Sequence, residues 1–127
     1  MNTHQHLYQW ATPGLAADST LFDWLTTLYP VWAGIDDEAV HVAAQAALAQ
    51  LARTGCTTAA DHHYVFPAGM ENAIDIEVES VRRLGMRATL TRGLRQSMLS
   101  VVSHTLIGKA SVGTRQPYAM AGYALLV

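Results

Sequence analysis

The sequence has a single cysteine, Cys56. One thiol excludes an internal disulfide and fits a reducing compartment such as the cytoplasm. No stretch reaches the roughly 18 uninterrupted apolar residues that a membrane-spanning helix needs, and no basic segment leads into an apolar run at the N-terminus as in a secretory leader. These absences predict a cytoplasmic chain with no membrane partner. A basic surplus is missing too: 8 Lys and Arg against 10 Asp and Glu give a net charge of −2, so nothing steers the protein to nucleic acid. Charged residues make up only 14% of the chain and apolar ones 50%. That balance excludes wholesale disorder and, at 127 residues, leaves room for one domain with a sizeable core.

Another absence is local. All ten acidic residues lie between Asp18 and Glu79, and seven of the eight basic ones lie from Arg82 onward. The last third therefore carries no carboxylate at all. A surface that evolved with one core usually intersperses both signs. The chain is accordingly expected to divide at 93/94, with 94–127 a divergent tail, out of frame or poorly ordered, whose apolar runs form short strands or a helix.

Before that boundary the pattern alternates. Met1 to His6 reads as the end of a strand, followed by a loop with Pro13 and Gly14 that closes on Asp18 and Ser19 as helix caps. Leu21, Leu25, Leu28 and Trp32 follow helical spacing, with Pro30 breaking or kinking the helix. The segment "IDDEAVHVAAQAALAQLARTG" has acidic residues first, an apolar stripe through Val40, Ala44 and Leu48, and Gly55 as its stop, so it reads as a helix. Small and β-branched residues in "CTTAAD" suit a buried parallel strand ending in the polar cluster "DHHY". Asn72 then caps a helix with stripe Ile74, Val78, Val81 and Leu84, and "MRATLT" reads as a further strand. Strands alternating with helices over short connections predict an α/β fold with a parallel sheet.

Chemistry in such folds collects at the C-terminal ends of the strands. Two polar clusters fall there, "HQHLYQ" and "DHHYVFP". His4 and His6 are spaced i, i+2, which on a strand points both imidazoles to one side and supplies two ligands of a metal site. Six histidines in the chain also make such a pair a frequent accident, so on spacing alone these residues read equally as ordinary surface histidines. His62 and His63 read as loop residues, one of which lines a pocket, and Asp61 as a group that orients one of them or satisfies loop backbone. Cys56 reads as packing, and Trp24, Leu28 and Trp32 as core.

The blocks "NTHQHLYQ", "LFDWLTTLYPVWAGI", "TGCTTAADHHYVFP" and "RRLGMRATLTRG", in this order, resemble the early part of the amidohydrolase superfamily. The likeness is to its aminohydrolase branch, which includes 8-oxoguanine deaminases and hydroxyatrazine ethylaminohydrolases. It runs from Asn2 to about Gly93. It implies a partial (β/α)8 TIM barrel, about the first three βα units and not closed, since eight units take about 250 residues. It also implies that in the complete family member His4 and His6 hold Zn2+, which this chain binds weakly or not at all, and that Gln9 and His63 lie near a small heterocyclic substrate, a purine-like or triazine ring whose amino group is replaced by hydroxyl. The later histidine, the aspartate and the proton-shuttling glutamate of the family have no match in this chain. The expectation is therefore a fragment of such a deaminase, inactive alone, that self-associates through exposed apolar faces. Two alternatives stand beside it: a non-catalytic α/β remnant, and a small histidine metal-binding module, which requires the two histidine clusters to meet in space.

Overall fold

The computed structural model describes residues 1–93 and the short strand 124–126. Three parallel strands form an open sheet: β1 (Asn2–Gln5), β2 (Thr58–His63) and β3 (Arg87–Arg92), in that spatial order. A fourth strand, β4 (Ala124–Leu126), pairs antiparallel with β3 from Thr89 to Thr91. Helices α1 (Leu21–Trp32) and α2 (Asp37–Arg53) connect β1 to β2, and α3 (Ala73–Arg83) connects β2 to β3. This is the α/β arrangement that the alternating pattern predicts. Apart from β4, which falls in the apolar run at the end of the chain, the expected tail lies outside the described residues.

Local chemistry explains where the helices start and stop. Asp36 caps α2 by accepting the Ala39 amide at 2.8 Å, and Asp37 and Glu38 in the first turn complement the helix dipole. At the far end Gly55 takes φ 83°, which lets the Cys56 amide reach back to the Leu51 carbonyl at 3.0 Å. Gly85 ends α3 in the same way, with φ 63° and the Met86 amide on the Val81 carbonyl. Both positions need a left-handed backbone that a side chain would strain.

Three local expectations are corrected. The cap of α1 is Thr20, which accepts the Asp23 amide, and not Asp18 or Ser19. Pro30 does not break α1: the helix runs on to Trp32, and the Ala33 amide still closes on the Tyr29 carbonyl at 2.9 Å. Finally, β2 begins at Thr58 and runs through His63, so "DHH" is part of the strand and not of the loop after it. Its pairing with β3 is in unbroken register from Thr58 opposite Arg87 to His63 opposite Arg92.

That last correction fixes which side chains face where. Along β2 burial alternates strictly: Ala59, Asp61 and His63 are buried, and Thr58, Ala60 and His62 are not. Ala59 packs in a core with Ala44, Leu48 and Val81, so the buried face of the strand is the one turned to α2 and α3. A second core gathers Tyr8, Leu28, Trp32 and Phe66 beneath the turn that follows β1. Leu21 is 73% exposed and lies outside both. Leu48→Ala should therefore destabilise the chain by about 2–5 kcal/mol through the cavity it leaves, whereas Leu21→Ala should change stability by less than about 0.5 kcal/mol. Urea unfolding of the two variants checks this contrast.

Candidate metal centre

The sheet's parallel pairing sets the C-terminal end of β1 beside that of β2. His4 lies in β1 and His6 one residue beyond it, at the entry to a single 3-10 turn (Leu7–Ala11). Their Nε2 atoms approach to 3.2 Å, on one side of the strand and at an exposed edge. Two nitrogens bound tetrahedrally at about 2.0–2.1 Å from one zinc lie about 3.3 Å apart. The pair therefore has the separation a shared ion requires.

Tautomers point the same way. Nδ1 of His6 is 2.7 Å from the His62 carbonyl, which can only accept, so Nδ1 carries the proton and Nε2 of the neutral ring keeps its lone pair. Half-burial is the main cause that pushes the His6 pKa down, with the His62 carbonyl opposing it and the neighbouring histidines adding to it. His6 is thus a neutral donor at ordinary pH. His62 itself reaches the same spot from β2, its ring centroid 4.8 Å from that of His4 and 6.2 Å from that of His6. The Thr91 hydroxyl gives its proton to the Asp61 carbonyl and so accepts from Nδ1 of His62. The Nε2 lone pair of His62 is consequently free of that bond. The two histidine clusters do meet in space, through His62.

Gln9 sits in the 3-10 turn and donates from Nε2 to the Tyr64 hydroxyl at 2.9 Å and to that of Tyr8 at 3.3 Å. With His4, His6, Trp10 and Trp24 it lines an open cleft of about 340 Å³. His63 does not reach this cleft, contrary to the role expected for it. Strand parity turns it inward, where it is fully buried, its Nδ1 2.7 Å from Oε1 of Glu77 and its Nε2 2.7 Å from the Val65 carbonyl. With both ring nitrogens engaged, it has none left for a ligand.

Beneath the cleft lies a buried polar group of Asp61, His63 and Glu77, whose donor atoms fall within 4.8 Å of one another. Asp61 accepts the Leu7 amide on Oδ1 at 2.6 Å. It therefore satisfies backbone, one of its two expected roles, and does so in β1's turn. The 2.7 Å between His63 and Glu77 is shorter than the separation of two ligands on one ion, so this group reads as a hydrogen-bonded network. Oδ2 of Asp61 and Oε2 of Glu77 have no hydrogen-bond partner among the described residues. Burial pushes Glu77 up to about 8 and raises Asp61 well above the usual carboxylate range, the facing Glu77 adding to the rise. Burial lowers His63.

The sequence pattern alone does not single out Glu77, Thr91 or Tyr64 as site residues. For Glu77 a signal exists: it lies four residues after Ala73 and four before Val81, on the buried stripe of α3. Its ionisation also sets a pH dependence. Glu77 binds a proton more tightly folded than unfolded, so its contribution to stability is full below about 4.5 and is lost as pH rises to about 8. The lowered histidines act oppositely, but only below their ordinary value of 6.5. Between pH 6.5 and 8 stability should therefore fall, by at most about 1.4 kcal/mol per pH unit for one proton, and Glu77→Gln should flatten that slope in urea titrations.

No protein-family model matches the chain. Over 95 residues it is 55% identical to the 8-oxoguanine deaminase of Pseudomonas aeruginosa, covering 73% of this chain and 21% of that one. Over 98 residues it is 35% identical to the hydroxydechloroatrazine ethylaminohydrolase of Pseudomonas sp. strain ADP, covering 73% and 20%. Among solved structures it resembles an amidohydrolase from a Sargasso Sea environmental sample, with a TM-score of 0.57 and 36% identity over 73% of this chain and 19% of that one. It also resembles an atrazine chlorohydrolase of Arthrobacter aurescens complexed with zinc and atraton, with a TM-score of 0.65 and 28% identity over 94% and 32%. The chain spans about a fifth of the length of the curated relatives it matches. An open parallel sheet with a paired-histidine cleft at its strand ends, joined to these likenesses, places the chain in the amidohydrolase superfamily, among relatives of its ring deaminases.

Proposed function

We propose that the chain is a segment of a zinc-dependent aminohydrolase that replaces the amino group of a purine-like or triazine ring by hydroxyl. The observation that carries the reading is the 3.2 Å approach of the His4 and His6 Nε2 atoms at the edge of the cleft. The relatives named deaminase or aminohydrolase support the reaction class, and the zinc-complexed structural neighbour supports the metal. Strands β1 to β3 would be the first three of an eight-stranded barrel, with the barrel segment ending near residue 93, in a cytoplasmic enzyme.

His4 and His6 would hold the ion, which when bound acidifies a water and polarises it for attack on an electron-poor ring carbon. Gln9, fixed by two tyrosine hydroxyls, presents its amide carbonyl to the cleft, where a ring N–H can be bound and oriented. Among the described residues lining the cleft there is no carboxylate. Deamination needs a group that takes a proton from water and delivers one to the leaving nitrogen, so the segment alone is expected to bind and not to turn over.

The meeting of His62 with His4 and His6 favours one second reading, a histidine metal-binding module without catalysis. Both readings predict that zinc titrated into the chain binds weakly at this pair, and that His4→Ala or His6→Ala lowers that affinity at least about 100-fold, since even outer-shell partners are worth 10–100-fold. Ammonia release from 8-oxoguanine or hydroxylated triazines should not exceed the zinc-only control. Failure of either histidine variant to weaken zinc binding would overturn the assignment of the ion to this pair.

A further inference from the structure

His6 is held from two directions, and both holds come from consecutive residues of β2. The Leu7 amide, the next peptide group after His6, donates to Oδ1 of Asp61 at 2.6 Å, and Nδ1 of His6 meets the His62 carbonyl at 2.7 Å. Asp61 and His63 flank His62 and point the opposite way, into the core, where Glu77 of α3 meets both: it is 2.7 Å from His63, and its donor atoms fall within 4.8 Å of those of Asp61. A buried carboxyl has a reason to be there only if it does something its apolar neighbours Ala73 and Val81 cannot. Here it ties three consecutive residues of β2 to a helix, and those residues set the place of His6.

We propose that Glu77, acting through Asp61 and His63, is a positioning residue for the His4–His6 pair, clamping β2 so that the Leu7 amide and the His6 ring are fixed for one ligand geometry. The proposal rests on the reading of that pair as the zinc site. In chemical terms the clamp is a continuous chain: Val65 carbonyl, His63 ring, Glu77 carboxyl, Asp61 carboxyl, Leu7 amide. The two facing oxygens of Asp61 and Glu77 lack other donors among the described residues, so a proton held between them completes the chain. An amide at position 77 can do the same, donating from Nε2 to Nδ1 of His63, whose own proton is on the Nε2 that meets the Val65 carbonyl, while its carbonyl accepts from the protonated Asp61.

The test uses the full chain and four variants: Glu77→Leu, Glu77→Asp, Glu77→Gln and Leu48→Ala. Zinc affinity and the exchange rate of the Leu7 amide in the metal-free chain are both measured. Glu77→Leu, which removes the polar link while filling its space, should weaken zinc binding about 10–100-fold, as loss of an outer-shell partner does, and should speed Leu7 exchange at least tenfold. Glu77→Asp, too short to reach both partners, should do the same if the leucine variant does not fold. Glu77→Gln should restore both values to those of the wild type. Leu48→Ala, a truncation in the core shared with Leu7 that removes no hydrogen bond of the chain, should lower the melting temperature and leave zinc affinity unchanged. Wild-type values in Glu77→Leu or Glu77→Asp, or an equal loss of affinity in Leu48→Ala, would overturn the proposal. If the wild-type chain binds no zinc, the reading of the pair as a metal site fails, and Leu7 exchange still decides whether Glu77 positions the turn.

Discussion

One hydrogen bond has more consequences than any other in this chain: the Leu7 amide on the buried carboxylate of Asp61, at 2.6 Å. It joins the turn after the first strand to the middle of the second, residues 54 apart in sequence. At 2.6 Å it is short for a bond from an amide N–H to an oxygen. It also obliges the surroundings to deal with a carboxylate out of water, which costs several kcal/mol if nothing compensates. The compensation here is not an arginine or a lysine. It is a second acid and a histidine, so the network must hold protons to be neutral, and the raised values of Asp61 and Glu77 follow from that.

The same bond determines which face of the sheet is chemical. With Asp61 committed to the core, strand parity sends His63 inward beside it and leaves His62 between them on the opposite face. Two adjacent histidines thus have unrelated fates. His63 is a satisfied core residue on Glu77 and Val65, whereas His62 stacks against His4 and supplies the carbonyl that selects the His6 tautomer. A one-residue slip of β2 would exchange these roles and bury the wrong ring, and the unbroken pairing with β3 is what prevents it.

This parity marks how far the sequence could be read. Helix α2 was legible to within two residues, because a capping aspartate, an unbroken apolar stripe and a terminal glycine agree there. The α/β order and the His4–His6 pairing on one side were legible for similar reasons, each resting on a period that the backbone enforces. Strand β2 was placed two residues early at each end, since "DHH" looks like loop by polarity and only pairing with β3 reveals it as strand. That error hid the difference between His62 and His63. Glu77 was missed because a glutamate on a helix reads as solvated, and its partner lies 14 residues away on another element. Pro30 and Thr20 show the same limit at smaller scale, where a competing local signal one or two residues away is enough to shift a boundary.

Metal binding and catalysis ask different things of a fold, and the described residues separate them. A pair of imidazole nitrogens 3.2 Å apart needs only two strand ends and a carbonyl to fix the tautomer of one ring, and the parallel strands provide that. Proton transfer needs in addition an acid placed within hydrogen-bond reach of the substrate. The two carboxyls that burial raises among the described residues, Asp61 and Glu77, sit on the helix side of the sheet, each fully or almost fully buried, with the strand between them and the cleft. Both are raised, as catalytic acids often are, yet the cause is burial in a structural network. A raised carboxyl pKa here therefore locates the brace behind the histidine pair and not a group within reach of the cleft.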